Sequence, residues 1–171
     1  MLFRSNVGKS KVMRCSVVGE NEPLSISLNG EILEEANEFK YLGSMIAAGG
    51  GMDAEVRERL GAAGKVMGGL ASLWKCRGMS IESKMCMWES IVVPTVMYGS
   101  ESWVLSAEER NRLNVFDMRC LRRVLGVSVM DRIRNVDIRR LCGSKMSLTD
   151  RADRNILKWF GLWTHGKDGG R

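Results

Sequence analysis

The 171-residue sequence lacks the features that mark several classes of protein. Hydrophobic residues at 44% and charged residues at 27% show no compositional bias, which excludes disordered and collagen-like chains. No apolar run reaches the roughly 18 residues of a membrane-spanning helix, and charges interrupt the N-terminus where a signal peptide is apolar. Five cysteines at scattered spacings give no disulfide framework. We therefore expect one domain, or one domain with an appendage, in an intracellular protein that is cytoplasmic or nuclear and binds no membrane.

Motifs for catalysis and metal binding are also missing. The seven aspartates are never adjacent and none follows a strand candidate, so no pair of metal-binding carboxylates is visible. No Cys-x-x-Cys occurs, and a single histidine, His165, argues against a zinc site and against a Ser-His-Asp hydrolase. Gly49-Gly50-Gly51 precedes a helix, but its spacing matches no phosphate-binding loop and favours a plain turn. We expect no small-molecule substrate.

The excess of positive charge is confined to the C-terminal part of the chain. The whole sequence has a formal net charge of +6. Residues 1–105 hold 11 basic and 12 acidic residues, whereas residues 106–160 hold 13 and 7. This second region is rich in arginine, which makes an anionic partner worth testing.

The N-terminal region has the pattern of strands. Residues 12–18 are rich in β-branched side chains, residues 24–28 alternate apolar and polar, and Asn29-Gly30 is a strong hairpin signal. An acidic link containing Glu34 and Glu35 leads to a second strand candidate at 39–46. This segment predicts a short antiparallel β region with an unpaired edge, which a protease should cut before the helices.

From Asp53 onward the apolar spacing is helical, and capping residues predict five helices. The first carries four glycines that weaken it and allow close approach of a neighbour, and Pro94 interrupts the second. The predicted helices cover 53–75, 81–98 after Ser80, a third from the Ser106/Glu109 capping box to Gly126, a fourth from Asn135 to Gly143, and a fifth that starts at Ser147 or Thr149. The fold class is therefore α+β, a short antiparallel β segment followed by a mainly α-helical bundle.

The third helix carries a candidate binding surface. Five apolar residues share one arc, and four arginines cluster opposite: the apolar residues are Leu113, Phe116, Cys120, Leu121 and Val124, and the arginines are Arg112, Arg119, Arg122 and Arg123. Arg139 and Arg140 continue the basic pattern in the next segment. Such arginines either bind phosphate or form a solvated face neutralised by nearby acids, and the sequence leaves both interpretations open. The five tryptophans are candidates for base stacking, but Trp159 and Phe160 lie on an amphipathic helix, where core packing is favoured.

Several motifs in fixed order resemble the C-terminal stretch of non-LTR (LINE-type) retrotransposon reverse transcriptases. The matching segments are Asn6 to Met13, Phe39-Lys40-Tyr41-Leu42-Gly43-Ser44, Val93-Pro94 with Tyr98-Gly99-Ser100-Glu101-Ser102-Trp103, Arg122-Arg123-x-Leu125-Gly126, and Leu157-Lys158-Trp159-Phe160-Gly161. The resemblance covers about residues 6–164.

The resemblance implies three regions: a palm remnant with a primer-grip-like hairpin at 1–50, a helical thumb-like bundle at 51–128, and a helical extension at 129–171. Lys9, with Lys11 second, resembles the lysine that assists proton transfer to pyrophosphate. Lys40, Tyr41 and Gly43 lie in the segment that resembles the primer grip. The implied partner is an RNA–DNA hybrid or a DNA duplex.

The sequence lacks the catalytic motif of the family. The Asp-Asp motif that holds Mg²⁺ in the family is absent, as are the fingers, so we expect no cofactor and no polymerase activity from this chain alone. The family's histidine after Phe-Gly is also displaced, since Leu162 follows Gly161. The hypothesis is a truncated reverse-transcriptase-like protein that binds nucleic acid through its arginines. The alternative is a remnant without function or a protein-interaction module.

Overall fold

The computed structural model describes residues 10–14 and 25–161, and its chain divides into two compact units. The first unit, Met1–Glu55, contains the strands, and the second, Val56–Arg171, contains nearly all of the helical structure. The α+β class, with short N-terminal strands followed by a helical bundle, is confirmed. Among the described residues, no helix is both long and apolar enough to cross a bilayer.

The strands of the first unit form three two-stranded pairs in its described part. They are β1 Lys11–Val12, β2 Ser27–Leu28, β3 Glu31–Ile32, β4 Glu34–Glu35, β5 Glu38–Tyr41 and β6 Ser44–Ala47. The predicted hairpin is confirmed, because β2 and β3 pair antiparallel around Asn29 and Gly30, whose φ values are 55° and 85°. Two successive positive φ angles are what a two-residue hairpin turn requires, and asparagine and glycine adopt them readily.

The acidic segment after this hairpin is a strand and not the expected link. Glu34–Glu35 pairs in parallel with Lys11–Val12, and the Lys11 Nζ atom lies 2.9 Å from Glu34 Oε1. Two adjacent glutamates give no strand signal, and their partner lies 23 residues away in sequence. The pairing therefore depends on a contact between distant segments, which the local sequence pattern does not predict.

The second strand candidate is a hairpin. Residues 39–46 fold as β5 and β6, which pair antiparallel on either side of Leu42 and Gly43. These two residues have φ values of 48° and 87°. A leucine with positive φ is uncommon, so periodicity alone predicts a continuous strand where the chain in fact turns. The turn agrees with the hairpin that the family resemblance implies.

The first predicted helix is divided near its end. It consists of α1 Asp53–Gly69 and α2 Ala71–Lys75, and Leu70 between them has φ −91° and ψ 15°. Val56, Ala63 and Met67 are buried, and Leu60 and Leu70, which follow the same helical spacing, are half-buried. The expected close approach at the glycines is wrong, because a Cβ built on Gly61 or on the other α1 glycines meets nothing within 4 Å.

The second predicted helix changes its hydrogen bonding before the proline. It begins as α3 Ile81–Met87, where the Ser80 side chain accepts a hydrogen bond from the Ser83 amide. A π-helical turn follows at Trp88–Val92, and α4 Val93–Met97 completes the segment. The predicted interruption at Pro94 is confirmed, since the proline lies in the first turn of α4, where its missing amide hydrogen costs least.

The remaining helices largely follow their capping signals. α5 Ala107–Leu125 has the predicted Ser106/Glu109 capping box and ends at Gly126 with φ 72°. The predicted cap at Asn135 is wrong, because α6 Asn135–Cys142 has Arg134 at its N-cap position, without a capping hydrogen bond from that side chain, and it ends at Gly143. α7 Leu148–Trp159 is capped by Ser147.

The core of the second unit is aromatic and aliphatic. Its largest fully buried side chains include Trp74, Trp88 and Trp103, so these three tryptophans pack in the core. The expected core packing of Trp159 and Phe160 is wrong, since they are 72% and 66% exposed. Both lie at the C-terminal end of α7, whereas the buried residues of that helix are near its start. The apolar periodicity of the sequence therefore extends beyond the part of α7 that packs against the core.

Candidate nucleic-acid interface

Helix α5 places its arginines opposite its buried face. Leu113, Leu121 and Val124 are fully buried, as the predicted apolar arc requires, whereas Phe116 of the same arc is only half-buried. Arg119 and Arg123 are exposed, whereas Arg112 and Arg122 are half-buried. Because Arg119 and Arg123 are four residues apart, they are neighbours on one surface of the helix. The candidate site is built around these two side chains.

A cavity of about 760 Å³ lies beside α5, against α2 and the segment that follows α5. Four basic side chains line it: Lys75, Arg119, Arg122 and Arg123. Its other lining residues are Ala71, Trp74, Asn111, Asn114, Val115, Met118, Gly126, Val127, Ser128, Val129 and Asn135. The walls thus combine apolar side chains and amides with cationic groups, and no acidic residue lines this described cavity.

A second, adjoining cavity of about 450 Å³ lies between α5 and α1. It shares Asn111, Val115 and Arg119 with the first cavity and adds Arg57 and Arg112. The remaining lining residues are Leu60, Gly61, Gly64 and Phe116. Among the described residues, no acidic one lines this second cavity either. We call the six basic residues of the two cavities the basic surface: Arg57, Lys75, Arg112, Arg119, Arg122 and Arg123.

Several charges on the basic surface are not neutralised by a carboxylate. Arg112 pairs with Glu108 at 2.7 Å, an exposed contact within one helix. Arg122 donates to neutral oxygens, at 3.3 Å to the Ile133 carbonyl and at 2.7 Å to Asn135 Oδ1. In the part of the chain that the structure describes, the side chains of Arg119 and Arg123 make no hydrogen bond or ion pair. Concentrated positive charge in a concave surface attracts anions.

Arg139 belongs to a structural ion pair and lies outside the basic surface. Its Nη2 atom donates to Asp117 Oδ2 at 2.7 Å, and the same carboxylate accepts a hydrogen bond from the Leu148 amide at 3.3 Å. Asp117 is only 2% exposed. Burial raises the pKa of Asp117, and the charge of Arg139 opposes this rise. The pair therefore joins α5 to α6 and to the start of α7.

The predicted arginines are thus brought together only in part. Arg140 pairs with Asp137 at 3.0 Å with its side chain 77% exposed, and it lines neither cavity. The sequence reasoning missed Lys75 and Arg57, which reach the basic surface from α2 and α1. A single basic residue on a separate helix has no local signal, because tertiary packing alone sets its distance from α5.

The first unit contains the residues to which the family resemblance assigns a role in primer binding or proton transfer. Lys40 and Tyr41 are exposed on β5, and Gly43 has positive φ in the turn that follows. Lys11 is engaged by Glu34. Lys9 lies outside the described residues. A role for any of these residues in binding remains a prediction.

The described cysteines form no metal or redox site. Cys120 and Cys142 are buried, and burial raises their thiol pKa values to about 12 and about 11. Cys76 and Cys86 are exposed. Within residues 10–14 and 25–161, no three histidine, cysteine or carboxylate side chains are grouped to hold a metal ion.

Comparison with known proteins gives one informative similarity. No protein-family model and no solved structure matches the chain. A transposon-derived protein of Caenorhabditis elegans is 27% identical over 172 residues, which cover 96% of this chain. The chain spans 60% of the length of that relative. The similarity supports a transposon origin.

Proposed function

We propose that this chain is the C-terminal part of a retrotransposon reverse transcriptase and that it binds nucleic acid through the basic surface. The transposon-derived relative and the ordered motifs of the sequence support the origin. The observation that carries the binding proposal is the lining of the two cavities. Among the described residues, six basic side chains and no acidic side chain line them.

The chemistry of these side chains suits a phosphate backbone. A guanidinium group donates two parallel hydrogen bonds to phosphate oxygens and keeps its charge at every physiological pH. The uncompensated pair Arg119 and Arg123 would supply the main contacts, and Lys75 and Arg122 would extend them along the cavity. Contacts of this kind give affinity without reading sequence. The expected partner is an RNA–DNA hybrid or a DNA duplex.

The proposal concerns binding and not nucleotide transfer. In-line transfer by the two-metal mechanism needs carboxylates that hold both ions. The family's Asp-Asp motif is not present in these 171 residues. The proposed contribution of this chain is therefore to hold the nucleic acid.

The test is the affinity of the purified chain for a labelled RNA–DNA hybrid at 0.1 M salt. Arg119→Ala combined with Arg123→Ala should weaken binding roughly 10- to 100-fold, because two phosphate contacts and their released counterions are lost. The matched control, Arg134→Ala with Arg140→Ala, removes the same charge from exposed positions that line neither cavity. Equal weakening in the two double variants would show that only net charge matters and would contradict the proposed surface.

A further inference from the structure

The larger cavity has apolar lining residues that the phosphates and sugars of a duplex backbone would not contact favourably. Its volume of about 760 Å³ falls in the range of sites that enclose small organic molecules. Trp74, Val115, Met118 and Val127 supply the apolar part of the lining, although Trp74 and Met118 expose only 2% and 7% of their surface. A duplex presents phosphates and sugars outward and keeps its bases stacked inside. An uninterrupted duplex lying across the opening would leave the apolar walls without a partner.

An unpaired nucleotide matches both parts of this cavity. Its phosphate is an anion for Arg119 and Arg123, and its base is a flat body that gains from contact with apolar walls. Asn111 and Asn114 also line the cavity, and although Asn114 Oδ1 accepts a hydrogen bond from the Thr149 hydroxyl at 3.2 Å, the amide nitrogens offer donors to the edge of a base. We propose that the cavity receives an unpaired base, so that the chain prefers a single-stranded overhang to a blunt duplex.

The wall opposite α5 is held in place by the protein itself. Arg122 donates to the Ile133 carbonyl at 3.3 Å and to Asn135 Oδ1 at 2.7 Å, which ties the segment after α5 to that helix. Ser128 accepts from the Met130 amide at 3.2 Å, and Asp131 accepts from the Ser128 amide at 2.6 Å. A preformed wall lowers the entropy lost on binding. This inference rests on the proposed function, since the same arginines bind the phosphate.

The test compares three labelled substrates with the full chain. They are a blunt RNA–DNA hybrid, the same hybrid with a short 3′ single-stranded DNA overhang, and the overhang made abasic. The overhang should bind about tenfold more tightly than the blunt hybrid, and the abasic overhang should lose most of this gain because its phosphates remain while its bases are gone. Equal affinity for all three substrates, with binding intact, would overturn the base site.

A protein variant tests the walls without changing charge. Val115 and Val129 line the cavity and are 50% and 75% exposed, so replacing both with glutamine makes the wall polar without disturbing the core. This variant should lose the preference for the overhang, so that it binds the overhang hybrid and the blunt hybrid with equal affinity. The control changes Val104 and Val136, which are 83% and 76% exposed and line neither cavity, to glutamine.

The two proposals fail in different ways. If the Arg119/Arg123 double alanine variant binds every substrate as tightly as the unchanged chain, the proposed function is wrong. If that variant weakens all three substrates equally and the overhang gives no gain, the backbone site stands and the base site is wrong. If the control valine variant loses the overhang preference as fully as the Val115/Val129 variant, the cavity is not the place where the base binds.

Discussion

Removing the buried carboxylate of Asp117 should destabilise the protein by about 3 to 5 kcal/mol, the range for breaking one side of a buried ion pair. Asp117 is 2% exposed and accepts hydrogen bonds from Arg139 and from the Leu148 amide. In Asp117→Ala both donors lose their acceptor. The Nη1 atom of Arg139 is already buried without a partner, so the guanidinium would keep its charge with little compensation. Urea denaturation followed by circular dichroism measures the loss in the free energy of unfolding.

A second Asp–Arg pair supplies the matched control. Asp153 accepts two hydrogen bonds from Arg110, at 2.7 and 2.9 Å, and the pair joins α5 to α7. Both side chains are 41% exposed, so Asp153→Ala should cost only about 0 to 1 kcal/mol. If Asp153→Ala cost as much as Asp117→Ala, burial would not explain the difference and the structural role given to Arg139 would be refuted.

Three further outcomes are expected. Gly61→Ala should stabilise the protein by about 0.5 to 1 kcal/mol, because its Cβ meets open space within a helix, whereas Gly126→Ala, at φ 72°, should destabilise it by about 1 to 2 kcal/mol. Ser147 hydrogen bonds hold the pKa of Asp150 below its usual range. The stability that Asp150 adds over Asp150→Ala should therefore be present above pH 4 to 5 and lost as pH falls through the lowered pKa, in urea melts at stepped pH. A maleimide should label Cys76 and Cys86 in the native protein, while Cys120 and Cys142 react only after unfolding, as peptide mass spectrometry would show.

Local sequence signals predicted the parts of the fold that are decided locally. Asn29-Gly30 turns because both residues tolerate positive φ. Ser106 and Glu109 satisfy each other's backbone amides, and Gly126 ends the same helix in the left-handed region. Each of these features depends on residues within four positions of one another, and each was confirmed.

Features that depend on distant contacts were not predictable in the same way. The parallel pairing of Glu34–Glu35 with Lys11–Val12 joins segments that share no pattern. Leu42 takes φ 48° in a turn that usually holds asparagine or glycine, so its identity conceals the hairpin. Trp159 continues the apolar periodicity of α7 yet is 72% exposed, because periodicity does not show where a helix loses its neighbours.

The candidate site was predicted as a helix face and found as a concave surface. The arginine cluster on α5 followed from helical geometry, including the exposure of Arg119 and Arg123. The sequence could not show that Asp117 withdraws Arg139 into an ion pair, since that contact spans 22 residues. Nor could it show that Lys75 would line the same cavity from α2.

The most direct test of the account is the salt dependence of binding to a blunt DNA duplex. Four phosphate contacts, from Lys75, Arg119, Arg122 and Arg123, predict a slope of log K against log salt near about −3.6, which is roughly a hundredfold loss of affinity between 50 and 200 mM salt. The Arg119→Ala, Arg123→Ala variant should halve the slope to about −1.8, and the Arg134/Arg140 control should leave it unchanged. A slope near zero, or one that the two double variants reduce equally, would contradict a phosphate-binding role for the basic surface.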